Sequence, residues 1–373
     1  MIKKYMEGNN KQKQWLKTVD QFIKRRWPFL AIGAVFIIGA SYGLFRYAVS
    51  HGNEINGQSQ NNETIAEQTA IDDGLAARRL DGIRVAPELA NLLPFAVMIE
   101  NHVDARPLSG VSKASLVFEA PVEGGITRML VIFDASSTAD NIGPVRSARP
   151  YYIDWVRSLD AAYVHVGGSP EALNRIKGLA YFKNLDEMAG ENYFWRSAKR
   201  SSPHNTYTSM ENLNQAAIDK QWKAGDFEAW TFQEIEPDIK PGNVTSITIP
   251  YAGSYRVDWS YDPETASYER SMGRQRQKDA DGSAVNAKNI LVLSTEENTL
   301  DDVGRLSIRT TGEGKGWLFH YGSAKEIKWT RKSNQFYKIQ SPDGRDVAFI
   351  PGSTWIEFAT KKSYEPVFLT SSN

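Results

Sequence analysis

The sequence predicts an α/β domain built on a covered, mixed sheet over residues 86–237, an all-β domain of sandwich or partly closed barrel form over residues 238–373, and one transmembrane helix ahead of both. Three observations carry this. Residues 95–100, 114–119 and 129–133 carry runs of consecutive apolar residues, the last with no polar one, as strands in the middle of a sheet covered on both faces must. Beyond Pro237 the chain breaks into short alternating segments separated by turn signals, the texture of an all-β domain. Residues 27–45 hold no charge, and a helix of that length spans roughly 28 Å, close to the hydrocarbon thickness of a bilayer.

Charge sets the orientation of that helix. Residues 1–26 carry Lys3, Lys4, Lys11, Lys13, Lys17, Lys24, Arg25 and Arg26 against Glu7 and Asp20, whereas after Arg46 the next cation is Arg78. The positive-inside rule then keeps residues 1–26 in the cytoplasm as a basic tail and places the rest outside, behind a single-pass signal anchor. A cleaved signal peptide is the competing reading, but the basic n-region is long and no A-x-A site follows. Residues 46–85, rich in Gly, Ser, Asn, Gln and acidic side chains, read as a flexible extracytoplasmic linker.

Within residues 86–237 a fourth apolar strand at 161–166 runs into Gly167-Gly168-Ser169-Pro170-Glu171. Ser169 suits an N-cap, Pro170 the first helical position, Glu171 the positive end of the helix dipole, and Gly178 the stop. A second helix is predicted from the capping-box pattern Thr208-x-x-Glu211 and carries Leu213, Ala216, Ala217 and Trp222. In the β-rich part strands are expected at 244–249, 255–259, 289–293, 306–310, 317–320, 326–329 and 355–358. Turns fall at Pro241-Gly242, Asp262-Pro263, Asp281-Gly282, Pro342-Asp343-Gly344 and Pro351-Gly352, and residues 271–287 are expected to be a solvated loop.

Composition excludes several chemistries. The chain has no cysteine, so disulfides, thiolate metal sites, a cysteine nucleophile and a lipid-modified cysteine are out. Lys+Arg number 14 against 18 Asp+Glu over residues 86–235, and 18 against 18 over 236–373. Binding a phosphate backbone needs a basic excess, so no nucleic acid partner is expected.

More polar chemistry lies beside the apolar strands than a core requires. Glu100-Asn101-His102 and Glu119 end strands, Arg106 follows the first, and turns supply Glu123-Gly124-Gly125-Ile126-Thr127-Arg128 and Arg146-Ser147-Ala148-Arg149. His165, Gly167, Gly168 and Ser169 lead into a helix, and His204-Asn205 lies further on. Charged groups at strand ends and glycine turns, held by a rigid sheet, are where binding sites sit. Glu119 and Glu123 form a carboxylate pair suited to acid and base, or acid and nucleophile, on a glycosidic bond. The structural alternative is that one of them pairs with an arginine and fixes the Gly124-Gly125 turn. Arg128, Arg146 and Arg149 offer forked donors for a carboxylate or phosphate, joined by backbone N–H groups at Gly167-Gly168-Ser169; an internal network with Glu119, Glu123 and Asp134 is the alternative. His102, His165 and His204 lack the i, i+4 spacing of a helical metal site and would bind zinc only if the fold gathered them, so no metal and no cofactor is expected. Neither Ser147 nor Ser169 sits in a G-x-S-x-G elbow.

These blocks, with Ala105-Arg106-Pro107, Ile142-Gly143-Pro144-Val145-Arg146, His165-Val166-Gly167-Gly168-Ser169, Pro203-His204-Asn205, Trp329-Thr330-Arg331 and Pro351-Gly352-Ser353-Thr354-Trp355-Ile356, resemble the YerB-like family of bacterial envelope lipoproteins over roughly residues 90–360. The resemblance implies two domains in an extracytoplasmic setting and no established activity, because the family is one of unknown function. The departure is the anchor: members are commonly lipidated on a cysteine, and a helix takes that place here. The function expected is a membrane-anchored envelope protein whose α/β domain binds a polar, anionic cell-wall or surface ligand, glycan or peptide. The alternatives are a glycan or cell-wall hydrolase or lyase using Glu119 or Glu123, and a non-catalytic module for protein–protein interaction.

Overall fold

Strand pairing carries one sheet across residue 237. The computed structural model describes residues 74–234 and 239–371. The basic tail, residues 27–45 and nearly all of the linker lie outside the described residues; among those described, no helix is long and apolar enough to cross a membrane.

The first half supplies β1 (Pro94–Ile99), β2 (Leu116–Pro121), β3 (Thr127–Asp134), β4 (Ala162–His165) and β5 (Asn184–Asp186). The second supplies β6 (Val244–Ile249), β7 (Val257–Asp262), β8 (Ser267–Met272), β9 (Gln275–Arg276), β10 (Asn286–Ala287), β11 (Asn289–Ser294), β12 (Gly312–His320), β13 (Ser323–Arg331), β14 (Lys338–Gln340), β15 (Thr354–Ala359) and β16 (Val367–Thr370). A ten-stranded sheet runs β14-β13-β12-β11-β15-β2-β3-β1-β4-β5. It is mixed: β15 is parallel to β11 and β2, and β4 is parallel to β1 and β5. A six-stranded sheet runs β9-β8-β7-β6-β16, with β10 also paired to β8. The protein is therefore mostly β, with three helices among the described residues: α1 (Pro150–Ser158), α2 (Pro170–Lys177) and α3 (Met210–Asp219).

The consecutive apolar positions follow from cover on both faces. On β1, Phe95, Val97 and Ile99 point into a core shared with Ile247 and Trp259 of the second sheet and Leu213 and Ala216 of α3. Ala96 and Met98 point the other way, into a core with Tyr152 and Trp155 of α1 and Trp329, Tyr337 and Phe349. Each large apolar side chain so buried contributes about 1.5–3 kcal/mol. Trp155 anchors α1, stacking on Phe358 at 4.3 Å between centroids and donating its indole N–H to the Tyr337 hydroxyl at 3.0 Å.

Three expectations need correction. Helix α3 is capped by Ser209, whose hydroxyl accepts from Asn212 N at 3.2 Å. Thr208 is buried in a bridge with Ile142 and donates to Tyr193 O at 2.8 Å, so its hydroxyl is not free to cap, and Trp222 lies past the helix end. Helix α1 begins at Pro150, directly after the turn Arg146-Ser147-Ala148-Arg149, where no helix was predicted. Residues 271–287 are not a solvated loop, because β8 needs partners: β9 and β10 pair with it, and between them the buried Asp279 accepts from Ser112 N at 2.8 Å. Helix α2 has the limits expected of it, with Ser169 Oγ accepting from Ala172 N.

Candidate functional site

Glu119 lies between the two sheets, fully buried. It is paired with Arg270 of β8 and accepts from Thr127 Oγ1 at 2.6 Å and Asn101 Nδ2 at 3.2 Å. Directly opposite it on the parallel neighbour β15 is Glu357, also fully buried. Burial, and then the Glu119 charge, push the Glu357 carboxyl up to about 8, against the pull of Arg270 and of the Trp259 indole N–H at 3.2 Å. Arg270 is packed over Trp355 at 4.3 Å and Trp259 at 5.5 Å. Two carboxylates side by side in a core need this cation and one retained proton, which makes the group a neutralised structural network. Glu119 has no face toward solvent on which to meet a substrate.

Glu123 is elsewhere, at the β2–β3 turn, where Gly124 and Gly125 take positive φ of 70° and 73°. It accepts two bonds from Arg149, at 2.6 and 3.0 Å. Burial alone would raise its carboxyl; those bonds and the Arg149 charge bring it below the usual carboxylate range. No hydrogen bond or ion pair links it to Glu119 among the described residues. Arg128, 7% exposed, donates to Ser147 O at 2.8 Å and forms no ion pair among the described residues. Burial first, and then Arg149 and Arg146 nearby, lower its proton affinity. The three expected arginines thus lie close together, but Arg149 is committed to Glu123 and Arg146 to Glu100.

The glycine turn before α2 is closed internally. Gly167 N donates to Asp186 Oδ1 at 2.7 Å, Gly168 bridges to Ala148 closely enough that a Cβ would meet the alanine at 3.1 Å, and Ser169 caps the helix. His165 is buried between Gly167 O at 2.7 Å and Asn184 Oδ1 at 2.9 Å. Asn205 Oδ1 accepts from Arg196 at 3.2 Å.

The remaining expected residues do converge. Glu100, buried at the end of β1, accepts from Arg146 Nε at 2.9 Å and contacts His204 Nδ1 at 2.8 Å. The His204 ring stacks on His102 with centroids 5.1 Å apart. His102 caps the short 3-10 turn Val103–Ala105, its Nδ1 accepting from Asp104 N at 3.3 Å. Asp104, Arg106 and His204 line an open cleft of about 1160 Å³, together with Lys113, Arg200 and Tyr207. Arg106 donates to Asn101 O and Ser254 O, both at 3.1 Å, and packs over Tyr255. Arg200 donates to Asp104 O at 3.0 Å and Pro107 O at 2.7 Å. Arg200, Asp104, Arg270 and Glu357 were not expected from the sequence; Asp104 shares the His102 turn, and long-range contacts single out the other three.

Residues 80–223 match the family Protein of unknown function (DUF3048) N-terminal domain, and residues 247–356 match its C-terminal domain. The chain is 34% identical over 289 residues to Putative lipoprotein YerB of Bacillus subtilis (strain 168), covering 74% of this chain and 84% of that protein. The crystal structure of the YerB protein from Bacillus subtilis superposes with a TM-score of 0.71 at 29% identity, covering 79% of this chain and all of that one. With both domains matched in order and the fold shared along their length, the chain belongs to the YerB family of two-domain DUF3048 proteins.

Proposed function

We propose that this chain is a membrane-associated, extracytoplasmic envelope protein that binds a polar, anionic cell-wall or surface ligand in the cleft beside His204. The location is supported by the lipoprotein name of the Bacillus subtilis relative and by the basic tail ahead of the uncharged residues 27–45; lacking any cysteine, the chain has that segment as its anchor. The ligand class rests on one observation. In the cleft wall, Arg106 and Arg200 hydrogen-bond backbone carbonyls, Arg200 also the Tyr207 side chain, and neither forms an ion pair among the described residues. Burial, the leading cause, lowers the proton affinity of Arg106, and a carboxylate or phosphate in the cleft would offset that cost with forked, charge-assisted bonds. Asp104, Asp140 and Asp281 on the same walls confine the favourable position to the arginine side.

The test uses the full chain in detergent and soluble muropeptides with free or amidated carboxyl groups. Fragments with free carboxylates should bind, amidated ones more weakly, and Arg200→Ala should lose about tenfold in affinity, or about 1.4 kcal/mol, with its melting temperature unchanged. Absence of binding to the unaltered chain, or equal binding by Arg200→Ala, would remove this reading. Release of muropeptides from purified sacculi would point to the hydrolase or lyase class instead.

A further inference from the structure

We propose that His102, Asp104 and His204 form a binding site for a divalent transition metal of the zinc class, opening into the cleft. Sequence spacing does not suggest it, since His102 and Asp104 share one short turn and His204 comes from a distant loop. In the fold one ligand atom from each lies within 4.8 Å of the others. His102 Nδ1 is 3.5 Å from Asp104 Oδ2. Tetrahedral coordination with bonds of about 2.0–2.2 Å sets neighbouring donors about 3.3–3.6 Å apart, so this pair already has the separation a shared zinc ion requires. Among the described residues, coordination at His102 Nδ1 would displace one hydrogen bond, the long 3.3 Å cap bond from Asp104 N. The Asp104 side chain is 70% exposed and free to swing the carboxylate toward His204.

The independent observation is the support behind His204. Its Nδ1 is held by Glu100 at 2.8 Å, and Glu100, buried, is itself held by Arg146 at 2.9 Å. A carboxylate on one imidazole nitrogen fixes the tautomer and ring orientation and leaves Nε2 with its lone pair available, which is how metal-bound histidines are commonly backed. With two nitrogen donors and one oxygen the set suits zinc or a neighbouring first-row ion better than magnesium or calcium, which take oxygen ligands. Three protein donors at the edge of an open cleft leave a fourth position for water or for an anionic group of a bound molecule. Before the metal binds, Glu100, Asp104 and Arg146 sum to one negative charge; a dication reverses that sign, in keeping with an anion-binding cleft. The proposal stands apart from the anion reading, because it concerns the metal alone.

Titration of Zn²⁺ alone into the untagged, metal-stripped full chain in detergent, by calorimetry or equilibrium dialysis, tests it. One saturable equivalent is expected, with binding lost in a His102→Gln, His204→Gln double variant and weakened about 10–100-fold by Glu100→Gln. His102→Gln alone guards against misfolding, since His102 is a third exposed and among the described residues has no hydrogen bond or ion pair with Glu100; with an unchanged circular dichroism spectrum it should still lose at least tenfold in affinity. No saturable binding up to about 1 mM Zn²⁺, or a folded His102→Gln variant that binds as the unaltered chain does, would overturn the proposal. Failure of muropeptide binding alone would leave a measured zinc equivalent standing, so the two readings fail separately.

Discussion

At the scale of the residue, the buried group Glu119–Arg270–Glu357 shows how a charged motif can belong to folding. Arg270 neutralises one of two glutamates that the parallel register of β2 and β15 sets side by side. Replacing it with Met keeps much of the volume but leaves a buried carboxylate without its cation, so Arg270→Met should cost about 3–5 kcal/mol in denaturant unfolding. Glu357 has a folded value of about 8, raised by burial and by Glu119. The folded state therefore holds a proton that the unfolded chain releases above about pH 4.5, and the stability tied to it is lost as pH rises toward 8. Glu357→Gln keeps an acceptor for the Trp259 indole and carries no charge, so it should gain on the unaltered chain as pH rises from about 5 to 9; parallel pH profiles in urea titrations would refute the assignment. His320 acts from the acid side. Burial, with a smaller push from Lys325, lowers it to about 4, so the unfolded state takes up a proton first as pH falls below about 6.5. Stability drops between there and about pH 4, by roughly 3 kcal/mol, and His320→Gln should flatten that limb. Legibility of the site ended at this scale: Glu100, His102, Arg106 and His204 were singled out because polar groups at strand ends stand out against apolar runs. Asp104 sits in the His102 turn, but it and Arg200 meet each other and His204 only through contacts that close over long stretches of sequence, which no local pattern encodes.

At the scale of the element, patterns whose cause is local were the ones that could be read. The strand at Val244–Ile249 has its expected limits, and α2 has its expected cap and stop, because alternation, Pro at the first turn and a terminal Gly act within a few residues. Helix α1 escaped notice because Pro150-Tyr151-Tyr152 follows a polar run, and its helicity is secured by packing Tyr152 and Trp155 beneath the sheet, a tertiary cause. The cap of α3 was misplaced by one residue because two adjacent hydroxyls both fit a capping pattern, and only the bridge of Thr208 with Ile142 decides between them. Ser209→Ala should therefore remove the Asn212 N–H acceptor and cost about 1 kcal/mol. Asn at the same position, itself a good cap, should restore it. If thermal unfolding of Ser209→Ala matched the unaltered protein, the cap would not stabilise α3.

At the scale of the whole molecule, the two matched family segments share a sheet. The β2 edge that would close a unit ending near residue 237 is covered by β15, and β15 joins it to β11 and the hairpin of β12 and β13. Without the second half, β2 presents an unpaired apolar edge, and Phe118 loses its stacking with Phe358. The Glu119 carboxylate would also be left without Arg270. Without the first half, β15 keeps β11 but loses β2, and Glu357 loses its buried setting beside Glu119. An exposed, flat, apolar edge favours association with other chains over independent folding. A fragment of residues 74–237 and one of residues 238–373 should therefore each aggregate or lack fixed tertiary packing when made alone, and should assemble into a soluble complex with native near-ultraviolet circular dichroism when made together. A break inside residues 271–287 should be tolerated less well than one at 235–238, because that segment feeds β9 and β10 to β8 and docks Asp279 on Ser112. If either half alone gave a cooperative thermal transition with native-like tertiary signals, the shared sheet would be a docking contact between finished domains, and the cleft at His204 would then have to be complete in the first half alone, although Asp279, Ala280 and Asp281 of the second line its wall.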